Sequence, residues 1–140
     1  EAARLGGLGD LGLRIRVLDG PVGAASALKM SYAGINKGLT GLAAAMILAA
    51  ERAGAGPALH AELADSQPQL LEKFERSVPD MYAKAYRWVA EMREIADFLG
   101  RDDPARLIYE GMAGLYERLA ADVAGEKRDI AALDAFLTAR

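Results

Sequence analysis

From residue 23 onward, the apolar positions of this chain recur at helical spacing. Leu107, Ile108, Met112, Leu115, Leu119 and Val123 follow mostly at steps of three and four, with Arg106, Glu110, Glu117 and Arg118 elsewhere on the turn. That is the pattern of a helix with one buried side. Breakers divide the rest. A first helix is predicted from about Ala24 to Ala53, stopped by Gly54-Ala55-Gly56-Pro57. A short one follows from Pro57 to Ala64, opened by its proline. A third begins near Ser66 or Pro68 and runs to Ser77; Pro79 opens a fourth that reaches Leu99, where Gly100 ends it. Asp103-Pro104 caps a fifth extending to Val123, and Gly125 separates it from a last helix at Glu126 to Ala139. Alternation of polar and β-branched residues occurs only at Arg14 to Leu18, a predicted short strand closed by Asp19-Gly20-Pro21. Residues 1–13 are glycine-rich and weakly patterned.

The first helix departs from the one-sided pattern, because small or apolar residues lie all round it. Such a helix is expected to have protein on every side. Five other helices can enclose it only with difficulty, so part of its cover is expected from another domain or subunit. Gly34, Gly38 and Gly41 point the same way, since each costs about 1 kcal/mol of helix propensity relative to alanine. They imply close approach by a neighbour, or a kink. A membrane span is not expected. Lys37 cuts the clean apolar run to Gly38 to Ala50, short of the ~20 residues a crossing needs.

The chain has 140 residues, enough for one domain with a core. Its 52% hydrophobic and 26% charged residues exclude a disordered chain. A net charge of -3 argues against a nucleic-acid partner. With no cysteine and a single histidine, neither a disulfide framework nor a metal site is expected, and a cytoplasmic location is the reading. The start at Glu1, without an initiator methionine or a signal-like segment, leads us to expect a piece of a longer protein.

Candidate chemistry is sparse. Gly7-Leu8-Gly9-Asp10-Leu11-Gly12 matches a phosphate-binding glycine fingerprint in letters only. The motif needs a strand before it and a helix after it, and here a strand is predicted to follow. Lys29 is more telling, as a lone charge among Ala, Leu, Met and Tyr. Helical geometry puts Tyr32, Ala33, Asn36 and Thr40 on its side, with Lys37 ~80° further round. A lysine in a water-poor setting loses its proton more readily and can serve as acid or base, and an amide nearby can hold a hydroxyl or carboxylate. The alternative is a lysine snorkelling to water. His60 reads as an ordinary residue of the second helix.

Gly23, six residues before Lys29 at the start of a long alanine-rich helix, resembles the opening of the helical C-terminal domain of the β-hydroxyacid dehydrogenase and 6-phosphogluconate dehydrogenase superfamily. More narrowly, Ala25 to Met30 and Lys84 to Met92 resemble the NAD-binding phosphogluconate dehydrogenase-like proteins, over nearly all of the chain. The superfamily pattern is G-x-G-x-x-x-K-x-x-x-N. Gly23 matches its first glycine and Lys29 its catalytic lysine, while Ala25 replaces the second glycine and Ala33 the asparagine. Asn36 falls where 6-phosphogluconate dehydrogenases carry an acidic residue.

The resemblance implies an all-α bundle built round one long buried helix. Residues 1–20 would be a linker and the last strand of a preceding nucleotide-binding domain, and residues 21–140 a substrate and dimerisation domain. It implies an NAD(P)-dependent dehydrogenase in which Lys29 takes the substrate hydroxyl proton as hydride leaves the same carbon. Asn36 and Ser26 would orient the substrate, and Lys84 and Arg87 would meet the acid group of a small hydroxyacid or sugar acid; Trp88 is more simply core. NAD or NADP would be bound mainly by the preceding domain, and two copies would pair through the helices. The alternatives are a non-catalytic dimerisation or interaction module, and imine reduction on a related fold, which would give the lysine's role to another donor.

Overall fold

Gly23 adopts φ 96°, a left-handed conformation that suits glycine, and turns the chain into the first helix. The computed structural model describes Gly12 and residues 17–139. Helix α1 is Ala24–Arg52, whose 29 residues make a rod of about 44 Å. Helix α2 is Gly56–Ser66, α3 Pro68–Tyr82, α4 Ala85–Leu99, α5 Arg106–Ala124 and α6 Arg128–Leu137. The domain is an all-α bundle, with no strand among the described residues. Of the predicted strand, residues 14–16 lie outside those described, and Val17 and Leu18 are not in a strand. Most of the glycine fingerprint, residues 7–11, also lies outside them.

One boundary differs from the expectation. Pro79 does not open a helix; it sits inside α3, and the break comes at Ala83 and Lys84. A proline within a helix costs about 3 kcal/mol. Leu71, Phe74, Val78 and Met81 are all buried at helical spacing, and Met81 reaches the core only if the helix continues past Pro79. Burial of these side chains outweighs the lost hydrogen bond.

The core joins Ala44, Ile47 and Leu48 of α1 to Phe74 and Val78 of α3, Trp88 and Met92 of α4, Tyr116 and Leu119 of α5, and Leu133 and Phe136 of α6. Helices α4 and α5 form the most extensive pairing. Ion pairs Arg93–Glu117 at 3.9 Å and Arg106–Asp97 at 3.1 Å run along it in antiparallel register.

Helix α1 is covered unevenly. Its buried residues are Gly34, Thr40, Gly41, Ala43, Ala44, Ile47 and Leu48, nearly all in the second half. Leu28, Tyr32, Ile35, Leu42 and Met46 are each more than half exposed. Protein on every side, as expected from the sequence, is therefore not supplied by these helices. The glycines do accommodate close neighbours. A methyl at Gly41 would overlap Met112 Sδ and stand 3.0 Å from the Tyr116 hydroxyl, and one at Gly34 would stand 3.0 Å from the Tyr109 hydroxyl. Close packing of α5, not a kink, accounts for them.

Candidate functional site

The first half of α1 and the middle of α4 flank a cavity of about 380 Å³ lined by Lys29, Met30, Ala33, Lys37, Glu91, Glu94 and Ile95. Lys29 and Lys37 share this wall because eight residues of helix bring a side chain back to within ~80°. Glu91 and Glu94 face them from α4, three residues apart. The cavity thus holds two ammonium and two carboxylate groups on a partly apolar floor.

Lys37 is the fixed member. Its side chain is only 21% exposed and forms an ion pair with Glu91. Its ammonium also lies over the indole of Trp88, 5.1 Å from the ring centre. Trp88 in turn meets Tyr116 edge to face at 5.3 Å, and the Tyr116 hydroxyl donates to the Lys37 carbonyl. Lys37 is therefore held at both its main chain and its side chain by one aromatic cluster. Burial pushes its ammonium below the ordinary lysine value, and the charges of Arg87, Lys29 and Lys84 push the same way, against the opposing pull of Glu94. Burial likewise pushes the Tyr116 hydroxyl well above the ordinary tyrosine value.

The candidate residues from the sequence fall in different places. Lys29 lines the cavity but is exposed, so these helices do not give it the expected water-poor setting. The first turns of α1, residues 24–29, carry no buried residue, so little of the bundle packs around them. Ser26 is exposed on the first turn and is not among the lining residues. Asn36 turns away, its amide donating to the Tyr32 carbonyl at 3.0 Å and its oxygen accepting from Lys73 at 3.4 Å. Lys84 precedes α4 and is paired with Asp80 at 2.6 Å, while Arg87 is exposed one turn before Glu91. Trp88 is core, as expected. His60 lies edge-on to Phe136 at 5.3 Å, an interior packing role.

Lys37 and Glu91 were given no role by the sequence. A signal existed in the spacing of Lys29 to Lys37 and of Trp88 to Glu91, each putting a pair near one helix face. What it lacked was the facing of α1 against α4. Among the described residues no cluster of His, Cys, Asp and Glu suited to a metal ion is present.

A second surface runs along the side of α1 opposite Lys37, with Tyr32 bordering the Lys29 side. Leu28, Tyr32, Ile35, Leu39, Leu42 and Met46 follow at steps of four and three, an apolar seam of the kind that pairs helices. Beside it, Gly34, Gly38, Ile108, Tyr109 and Met112 complete a shallow groove of about 490 Å³. By length and composition α1 also passes the test for a membrane span, as long apolar core helices do. Its second half supplies Ala44, Ile47 and Leu48 to the core.

Residues 50–119, from the last turn of α1 into α5, match the sequence model of a family described as a domain of unknown function, DUF1932. No curated protein and no solved structure matches the chain. The match spans half of the chain and includes Lys84, Arg87, Trp88 and Glu91, but not Lys29 or Lys37.

Proposed function

The chain belongs to the DUF1932 family, and on that premise we propose that it is the C-terminal helical domain of an NAD(P)-dependent oxidoreductase acting on a small anionic hydroxyacid or sugar-acid-like substrate. DUF1932 is a C-terminal helical domain associated with NAD(P)-binding 6-phosphogluconate dehydrogenase-like proteins. The observation that carries the reading is the position of Lys29. It lines the cavity between α1 and α4, on the helix and at the distance from Gly23 where the resemblance places a catalytic lysine.

The cavity is of a size for a small acid and the reacting end of a cofactor. The rest of a dinucleotide would be held by a preceding domain, joined through residues 1–20. A bound nicotinamide would serve as the hydride acceptor. Lys29, as the amine, would take the hydroxyl proton at Nζ while the carbon gives up its hydride, and in reverse its ammonium would return that proton to the carbonyl oxygen. Arg87 would draw the acid group electrostatically, Lys84 would add to it only by releasing Asp80, and Ser26 would position the hydroxyl. Asn36 would join them only by releasing Lys73. Docking of the preceding domain over the first turns of α1 would exclude water from Lys29.

The seam on the far side of α1 supports a homodimer in which a second copy of the same seam is the occupant. Its repeat suits helix-to-helix packing, and an interface well over ~2,000 Å² is expected for a permanent pair. The enzymatic reading is tested by screening the intact protein against hydroxyacids and sugar acids with both cofactors. Cofactor-dependent oxidation of at least one acid is expected. Failure across the panel, with the pairing intact, would leave the non-catalytic dimerisation module.

A further inference from the structure

The resemblance draws attention to Lys29, Lys84 and Arg87, yet the lysine that the fold takes most trouble to hold is Lys37. Three contacts fix it: the Tyr116 hydroxyl on its carbonyl, the Glu91 carboxylate on its ammonium, and the Trp88 ring beneath that ammonium. A flexible lysine loses side-chain entropy when it binds a ligand, and one already immobilised does not lose it again. An ammonium has three N–H donors, so the pair with Glu91 leaves two. The cavity that Lys37 lines is shared with Lys29, and Arg87 and Lys84 are close enough for their charges to act on it. Beyond its pair with Glu91, the ammonium has the positive charges of Arg87, Lys29 and Lys84 about it against Glu94 alone, a balance that favours a further anion.

We propose that Lys37 is a specificity-determining residue that receives the carboxylate of the substrate, its two remaining N–H groups donating to the acid while Glu91 and Trp88 hold it in place. The substrate hydroxyl then lies toward Lys29, nearer the N-terminus of the same helix. Glu91 is spent on Lys37, and the one further carboxylate of the cavity, Glu94, is outnumbered by Lys37, Lys29 and the neighbouring Arg87, so the ligand meets a net attraction. The assignment of that anion as a substrate rests on the dehydrogenase reading; the anion site itself does not.

The test uses malonate, a small dicarboxylate, titrated calorimetrically into the intact protein at low ionic strength. Lys37→Met, Lys37→Arg and Lys29→Met are compared with the unaltered protein, and circular dichroism monitors the fold. Loss of a charge-assisted pair predicts at least ~10-fold weaker binding for Lys37→Met, with Lys37→Arg within ~3-fold of the unaltered protein and Lys29→Met between the two. No malonate binding by the unaltered protein, undiminished binding by Lys37→Met, or an equal loss in Lys37→Arg would each overturn the proposal. On a substrate found by the screen, Lys37→Met should raise KM at least ~10-fold with kcat within ~3-fold. Turnover with an unchanged KM would sink the role of Lys37 and leave the dehydrogenase reading standing. Lys37-dependent malonate binding without any turnover would do the reverse.

Discussion

At Gly41 the α1 backbone lies against Met112 and Tyr116, with no room for a methyl group. Gly41→Ala should therefore destabilise the domain by ~1–3 kcal/mol despite its better helix propensity, and denaturant unfolding would measure it. A second residue-scale prediction concerns alkaline pH. Burial, then the hydrogen bond to Asp134, pushes the Tyr82 hydroxyl upward from 10.0, and burial does the same for Tyr116. Both stay protonated in the fold while the unfolded chain begins to ionise near pH 10. Their contribution is complete below that pH and is lost as pH rises above it. Unfolding followed from pH 8 to 11 should show a declining midpoint, and Tyr82→Phe should make the decline shallower. At this scale the sequence exposed Lys29, a lone charge among apolar neighbours. Lys37 carried no such contrast, because its meaning depends on Glu91 and Trp88, some fifty residues away and brought near only by packing of α1 on α4.

The helices were legible where periodicity and breakers agreed. Helix α1 ends at Arg52, before the predicted Gly54 stop, and α5 starts at Arg106, where the cap residue is Ala105 and not the predicted Asp103, whose carboxylate accepts the Ala105 N–H at 2.8 Å in the preceding turn. Pro79 misled because a local breaker competes with the burial of Val78 and Met81, a tertiary term that one segment does not display. Replacing it tests this balance. Pro79→Ala restores a donor for the Glu75 carbonyl and should raise stability by ~1 kcal/mol after the gain in unfolded-chain freedom is counted. The start of α6 was also misplaced by two residues. Its free N–H groups at Arg128 and Ile130 donate to Asp122, each at 2.9 Å, and Asp122 belongs to α5. Asp122→Ala should lower stability by ~1 kcal/mol through loss of that cap, again read from denaturant midpoints.

For the whole molecule, the all-α class followed from the absence of alternating segments after residue 20, and the bundle has that class. Helix α1 links its two faces. One face carries Lys29 and Lys37 toward α4; the other carries the apolar seam from Leu28 to Met46. The sequence registered the second face only as apolarity all round, since it does not tell which side the remaining helices leave bare. If a second copy covers the seam, Leu42→Asp with Met46→Asp should convert the protein to a monomer in sedimentation at micromolar concentration. A monomer before substitution would remove the pairing. The proton transfer proposed for Lys29 is read from the kinetics of Lys29→Ala in the intact protein, on an acid found by the screen. Loss of a general acid/base should lower kcat by at least ~10², with cofactor affinity near normal. Unchanged turnover would contradict it and make Lys29 a solvated helix residue.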